Sequence, residues 1–251
     1  MNADLAFAQE LADAADALTL PRFRALDLRV ETKPDLTPVS EADRAAEEAI
    51  RALVATRPGE GVLGEEFGDD GTAVRWIVDP IDGTRNYVRG VPVWATLLAL
   101  EREGRVDVAV VSAPALKRRW WAVRGQGAWA GPATDSAPER LQVSAIARVE
   151  DAVISTTTES AMPPGWRGLT ERAWTPRGFG DFWQHCLVAE GSVDLATDPV
   201  LSLWDYAAVQ LIVEEAGGRC TTFAGEPPAP GASYLSANAA LHAEAVAALA
   251  P

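Results

Sequence analysis

The chain has 251 residues, 48% of them hydrophobic, and its 36 Asp and Glu against 22 Lys and Arg give a formal net charge of −14. A chain of this length and apolarity buries a substantial core as one large domain or two small ones, and its acidity excludes the phosphate-neutralising surface that non-specific nucleic-acid binding needs. The longest strongly apolar run, Val106 to Ala113, is too short to span a bilayer, and residues 1–10 lack the basic start and apolar stretch of an export signal, so no membrane association and a cytoplasmic location are expected.

Leu5, Ala8, Leu11, Ala12, Ala15 and Leu18 recur at helical spacing and Pro21 follows, which predicts an amphipathic helix over about 3–19. A polar loop containing Pro34 and Pro38 comes next. Ser40-Glu-Ala-Asp43 has the form of a capping box and opens a second helix to about Thr56, closed by Pro58-Gly59. Residues 76–79, 93–100 and 106–112 read as strands, the last two joined by a turn at Glu103-Gly104, and 119–124 is a further strand candidate. The stretch Gly131 to Pro138 marks the expected boundary between an N-terminal half, 1–135, and a C-terminal half, 136–251. Beyond it the pattern predicts a strand over 152–157, a helix over 181–190 ended by Gly191, and a helix from near Ser202 to Gly217-Gly218. Strands and helices are mixed in both halves with no fixed-period repeat, so the class is α/β or α+β, in layers.

The acid is concentrated. Residues 31–50 hold six acids and two bases, 59–82 seven acids and one base, and 181–218 seven acids and no base. Together these segments carry −17, more than the whole chain. Charge runs are ordinarily solvated faces, which suits Asp69-Asp70. It does not suit Asp79 and Asp82, which follow Trp76-Ile-Val78, or Asp205 between Trp204 and Tyr206, where an unpaired carboxylate is costly to bury. Two cysteines, Cys186 and Cys220, and two histidines, His185 and His242, are too few for a disulfide framework and poor material for a zinc site.

The informative segment is Trp76-Ile-Val-Asp79-Pro-Ile-Asp82-Gly-Thr84-Arg-Asn86. An apolar strand ends at an Asp, the proline is expected to stop strand pairing, and a second Asp precedes Gly83. Both carboxylates and the Ile81 carbonyl can then turn toward one point, a hard-oxygen donor set that favours Mg²⁺ over zinc. Gly83 allows close backbone approach, so the amides of Gly83 and Thr84 could cradle a phosphate. A plain Asp-Gly turn is the bland alternative.

With these residues the sequence resembles the inositol monophosphatase superfamily, whose DPIDGT signature stands here as Asp79 to Thr84. Gly64-Glu65-Glu66 upstream, and Trp204-Asp205-Tyr-Ala-Ala208 continuing to Glu215-Ala-Gly-Gly218 downstream, match further family motifs in order. The resemblance covers nearly the whole chain. It is closest to the histidinol-phosphatase branch, on Thr32-Lys-Pro-Asp-Leu-Thr-Pro-Val39, Asn86-Tyr-Val-Arg-Gly-Val-Pro-Val-Trp94 and Gly180-Asp-Phe182. It implies an α-β-α-β-α sandwich, a homodimer, and a small phosphorylated metabolite as substrate. Two or three Mg²⁺ would be held by Glu65, Asp79, the Ile81 carbonyl, Asp82 and Asp205. Asp43 would pair with Thr84 and, with Glu65, orient and deprotonate the attacking water. Asp82, Gly83, Thr84, Asp181 and Asp198 would contact the substrate, Asp198 on its leaving group.

Asp43 and Asp205 each stand three residues after a serine and also fit as capping-box acids, which is compatible with ligation. Asn86 is read as fixing the turn, Trp76 and Trp204 as packing beside the site, and His185 and Cys186 as core or surface. Arg85, Arg89 and Lys117-Arg118-Arg119 are read as phosphate or subunit contacts, with solvated charge at least as good a reading. The spacing Asp-x-x-Asp, not Asp-x-Asp, predicts no phosphoenzyme. The reaction implied is hydrolysis of a phosphate monoester by metal-activated water. Histidinol phosphate is the first substrate, because its ammonium and imidazole complement Asp181 and Asp198. Inositol monophosphate is the alternative, with sugar bisphosphates or 3′-phosphoadenosine nucleotides behind it, and an inactive metal- or phosphate-binding regulator is the rival of another class.

Overall fold

The computed structural model describes residues 2–33, 37–132 and 137–250. In chain order the elements are α1 (Ala3–Arg22), β1 (Val30–Thr32), β2 (Pro38–Ser40), α2 (Glu41–Val54), β3 (Glu60–Gly64), β4 (Gly68–Asp69), β5 (Val74–Asp82), α3 (Thr84–Arg89), β6 (Ala95–Arg102) and β7 (Arg105–Ala113). They continue with β8 (Arg118–Val123), β9 (Ala128–Pro132), β10 (Glu139–Arg140), β11 (Val153–Thr156), α4 (Pro164–Arg172), β12 (Thr175–Arg177), α5 (Asp181–Ala189), β13 (Leu195–Leu201), α6 (Leu203–Glu215), β14 (Arg219–Thr221), β15 (Ala232–Ala237) and α7 (His242–Leu249). Pro21 does not end the first helix; it sits inside its last turn.

An eight-stranded sheet runs β10-β9-β8-β7-β6-β5-β3-β4, antiparallel except where β3 and β5 pair in parallel. Its strands alternate between two buried faces. Trp76, Val78, Leu98, Leu100, Val108 and Val110 meet Leu11, Ala46 and Ile50 of α1 and α2. Ile77, Leu97, Ala99, Ala109 and Val111 meet Cys186 of α5 and Val209 and Ile212 of α6. Burial on both faces accounts for the continuous apolar run from Val108 to Val111, which a half-solvated strand would not show. The turn into β7 places Glu103 and Gly104 both at positive φ, the geometry of a tight two-residue hairpin.

A five-stranded sheet, β12-β11-β13-β15-β14, lies beyond α5 and α6. Its outer face carries Ile154, Leu195 and Leu235 against Trp166 and Leu169 of α4, Ala245 of α7 and Leu241 just before it. The layers are therefore α1/α2, eight-stranded sheet, α5/α6, five-stranded sheet, α4/α7, the α-β-α-β-α sandwich the sequence led one to expect. The division expected at 135/136 lies outside the described residues. The core between the eight-stranded sheet and α5/α6 joins residues from both sides of it. Among the described residues no helix is long and apolar enough to cross a membrane.

Leu98 is fully buried between the sheet and the α1/α2 layer. Leu98→Ala is expected to lower the unfolding free energy in urea by about 2–5 kcal/mol. The same truncation at Leu26, which is fully exposed, should change it by less than about 0.5 kcal/mol.

Candidate active site

The site starts at Gly64, the last residue of β3, where a Cβ would lie 2.0 Å from Glu47 Oε1. Glu47, fully buried on α2, uses that gap to accept the N–H groups of Glu66 at 2.8 Å and Phe67 at 3.2 Å. The turn so fixed puts Glu65 on the wall of a cleft of about 180 Å³ that Asp79, Ile81, Asp82, Thr84 and Asp205 also line. Lys33 Nζ donates to Glu65 Oε1 at 2.7 Å and to Glu66 Oε1 at 2.6 Å. Burial would depress the Lys33 ammonium, but these two carboxylates raise it well above its ordinary range. Residues 34–36 of the stretch Thr32 to Val39 lie outside the described residues.

In a regular strand, residues three apart point to opposite faces. Asp79 pairs with Leu97 and Asp82 with Ala95, so Pro80 and Ile81 stand opposite Thr96 alone. This bulge shifts the alternation by one and brings both aspartates to one face. Thr96 Oγ1 steadies it by donating to the Pro80 carbonyl at 2.8 Å. The proline was expected to end pairing; instead only the pairing with β3 stops, at Val78, and that with β6 resumes at Asp82.

Asp205 arrives from the first turn of α6. It offers a carboxylate oxygen that, with one each from Asp79 and Asp82, lies within 4.8 Å of the other two. Each acid is held by a backbone N–H at a single oxygen: Asp79 Oδ1 by Ile81 at 3.0 Å, Asp82 Oδ2 by Phe182 at 2.7 Å, and Asp205 Oδ2 by Ser202 at 2.6 Å. Asp43, in the first turn of α2, follows suit, its Oδ2 accepting the Ser40 N–H at 2.8 Å and the Ser40 hydroxyl at 2.5 Å. Both capping boxes thus form, and each spends one oxygen only. Thr84 Oγ1 stands 3.4 Å from Asp43 Oδ1 and 2.9 Å from the Ile81 carbonyl.

Burial is the main cause of perturbed acidity here, with repulsion among the acids behind it. It pushes Asp43 and Asp205 up to about 7, against the Ser40 and Ser202 donors that act to lower them. Asp79 and Asp82 are raised well above the carboxylate range, by burial first and then by Glu65 and Asp181 respectively.

A second cleft, of about 240 Å³, adjoins the first and shares Asp82, Asp181 and Asp205 with it. Thr157, His185 and Asp198 also line it, and among the described residues its walls carry no Lys or Arg. Asp181 has φ +49°, a left-handed conformation uncommon for a residue with a side chain. Its N–H donates to Thr157 Oγ1 at 3.0 Å, and its Oδ2 accepts the Asn86 amide at 2.9 Å. Asn86 also donates to the Val93 carbonyl at 3.0 Å, so it fixes the turn as expected and ties it to α5 as well. Burial and then Asp198 push Asp181 up to about 6, opposed by Arg85 and His185. Gly83, at φ +79°, has no room for a side chain: a Cβ would lie 3.0 Å from the Val93 carbonyl oxygen.

The remaining residues separate clearly. Trp76 packs in the α1/α2 core and donates to Glu60 at 2.7 Å, away from the acids. Arg118 pairs with Glu139 and with Glu190 at 2.7 Å, and the buried Arg119 with Asp16 at 2.6 Å and Asp13 at 2.9 Å. Both are engaged in ion pairs and neither lines the clefts; Arg119 is buried, Arg118 half-buried and Lys117 exposed. Arg85 does line the first cleft. His185, read as core or surface, is buried but faces the second cleft and reaches Asp198 at 2.9 Å. The polar pair Gln184-His185 inside an apolar helix was the available signal.

A five-layer α/β sandwich whose adjoining clefts gather acids at one strand bulge and two helix starts defines a metal-dependent phosphatase. Residues 2–251 match the family model described as "Inositol monophosphatase family", and the chain belongs to that family. It is 54% identical over 250 residues to the histidinol-phosphatase of Mycobacterium tuberculosis, covering 96% of this chain and 95% of that one. An inositol-1-monophosphatase of Caulobacter vibrioides is less similar, 35% identical over 231 residues, covering 86% and 88%. A Thermotoga maritima IMPase superposes with a TM-score of 0.89 at 31% identity, covering 98% of this chain and 96% of that one. The chain is a phosphoric monoester hydrolase.

A carboxyl held above its ordinary value binds its proton more tightly in the folded than in the unfolded state. The stability this supplies is complete below about pH 4 and is lost as the pH rises through about 7. In EDTA, the urea midpoint should therefore fall between about pH 5 and about pH 8, and Asp205→Asn should flatten the fall.

Proposed function

We propose that the chain hydrolyses L-histidinol phosphate to L-histidinol and phosphate with Mg²⁺ as cofactor. The observation that carries this reading is the second cleft, whose walls present Asp82, Asp181, Asp198 and Asp205 and no Lys or Arg among the described residues. A leaving group bearing an ammonium and an imidazole complements those acids, whereas a neutral polyol brings no charge to Asp181 and Asp198. The 54% identity to a histidinol-phosphatase, against 35% to an inositol-1-monophosphatase, supports the same choice. The homodimer implied by the resemblance, and the cytoplasmic location expected from the sequence, go with it.

Asp79, Asp82 and Asp205, with Glu65 and the Ile81 carbonyl, would hold two or three Mg²⁺. The donor set fits, being all hard oxygen, with one carboxylate oxygen of Asp79, Asp82 and Asp205 tied to backbone and the other without a hydrogen bond among the described residues. When bound, Mg²⁺ lowers the pKa of water and offsets charge on the phosphoryl oxygens. Lys33 holds Glu65 by Oε1 and leaves Oε2 to the cleft. Thr84 has one hydroxyl proton for two acceptors, Asp43 Oδ1 and the Ile81 carbonyl. Given to Asp43, that proton leaves the Thr84 lone pairs to orient the attacking water, whose own proton passes to Glu65. The water oxygen bonds phosphorus as the ester bond opposite it breaks, the departing alkoxide takes a proton from a solvent water, and Glu65 returns its proton to solvent. Gly83 and Thr84 present bare backbone to the phosphate, and Asp181 and Asp198 face the departing amino alcohol.

The test is phosphate release from histidinol phosphate and from inositol 1-phosphate at equal Mg²⁺. Faster turnover of the inositol ester overturns the substrate assignment. Asp82→Asn should reduce release by at least roughly a hundredfold and abolish Mg²⁺-dependent stabilisation against heat. A parent already at background would favour the regulator reading.

A further inference from the structure

Asp198 lies under the second cleft and is 4% exposed, yet no Lys or Arg among the described residues pairs with it. Its Oδ2 receives two neighbours from α5: Gln184 Nε2 at 2.6 Å and His185 Nε2 at 2.9 Å. Its Oδ1 has no protein partner among the described residues. One oxygen is therefore clamped while the other is left to whatever enters the cleft.

The clamp is itself braced from three strands. Ser155 of β11 donates its hydroxyl to Gln184 Oε1 at 2.8 Å, which sets the amide so that its N–H groups face Asp198. The same amide reaches Thr157 Oγ1 at 3.1 Å, the hydroxyl that also receives the Asp181 N–H, and the Thr197 carbonyl of β13 at 3.2 Å. His185 meets Ser236 of β15 through Nδ1 at 2.8 Å, and its ring stands edge-on to Tyr234, 4.9 Å between centroids at 84°. Ser155, Gln184 and Ser236 are fully buried, and His185 is 1% exposed. An apolar core position would fill this space without so many matched polar groups, each of which is expensive to bury unless satisfied. The strand also breaks register between Asp198 and Leu201, so pairing with β15 does not by itself fix the carboxylate beyond that point.

We propose that Gln184 and His185 are positioning residues that set specificity for a cationic leaving group. Neither touches the phosphate or its acids. They hold Asp198 so that Oδ1 meets the substrate ammonium, and through Thr157 Gln184 also couples Asp198 to the strained backbone of Asp181. The inference rests on the histidinol-phosphate reading and adds to it the residues that enforce the choice.

The experiment compares histidinol phosphate with glycerol 2-phosphate, an ester of an uncharged alcohol, on the Mg²⁺-loaded full chain. Gln184→Leu is expected to raise KM for histidinol phosphate about tenfold with kcat within about twofold, the ratio one lost charge-anchoring contact supports, and to leave kcat/KM for the glycerol ester unchanged. Inhibition by histidinol, the product, should weaken in parallel. His185→Phe should behave likewise and His185→Gln, which keeps a donor for Asp198, should recover most of the loss. If Gln184→Leu does not fold, as judged by its melting curve, the His185 pair carries the test. Equal losses on both esters, or no recovery with His185→Gln, overturn the positioning role. A parent that does not prefer histidinol phosphate overturns the substrate reading and this inference together. A parental preference that survives in both Gln184→Leu and His185→Phe overturns the inference alone.

Discussion

The molecule has to keep several carboxylates together in a place largely shielded from water. Unit charges at the 4.8 Å separation that bounds Asp79, Asp82 and Asp205 repel by about 3 kcal/mol per pair at an effective dielectric of about 20. The protein does not offset this with a matching cluster of cations. It uses backbone N–H groups, one for each of Asp43, Asp79, Asp82 and Asp205, and places two of these acids in the first turn of α2 and α6, where the helix dipole favours negative charge. That compensation is partial, which is why burial still pushes Asp43 and Asp205 up to about 7. A site so built is satisfied fully only by something positive from outside.

The layered fold follows from where those N–H groups come from. Asp82 and the Phe182 N–H that anchors it are 100 positions apart, and Asn86 meets Asp181 across 95. Such contacts require α5 and α6 to lie against the inner face of the eight-stranded sheet, with their N-terminal ends at the bulge of β5. The shared apolar core among Ile77, Leu97, Val209 and Ile212 keeps them there. Asp79 and Asp82 belong to the sheet, Asp205 and Asp181 to the helices, and Asp198 to the second sheet, so the clefts exist only where three layers meet.

Much of this is legible in the sequence, and the remainder is hidden for identifiable reasons. The two capping boxes are local, and Ser40 with Asp43 and Ser202 with Asp205 announce them. The Asp-Pro-Ile-Asp-Gly segment announces a turn-like gathering of acids, but the bulge depends on Thr96 of the neighbouring strand, so the proline looks like a stop to pairing. Gly64 is required by Glu47, seventeen residues earlier, and no local pattern carries that. Gln184 and His185 sit among apolar neighbours on α5, where polar residues ordinarily read as satisfied core; what distinguishes them is their partner Asp198 on β13. Arg118 and Arg119 read as surface charge because their acids, on α1 and at the end of α5, are remote in sequence.

The two clefts also divide the chain's negative charge by purpose. On the proposed reading, Asp79, Asp82 and Asp205 are answered by the cofactor, and the charge left over belongs to Asp181 and Asp198. Asp181 is held by the Asn86 amide, and Asp198 by the Gln184 amide and the His185 ring, where an arginine would have quenched them. An amide fixes a carboxylate in direction while leaving its charge unspent, and a buried charge left unspent penalises any ligand that brings none. Discrimination against a polyol then needs no steric barrier, because its hydroxyls can bond the carboxylates but cannot neutralise them. On the same reading, the excess acid that first excludes nucleic acid as a partner would act, at this cleft, as the selective element for a small cation tethered to a phosphate.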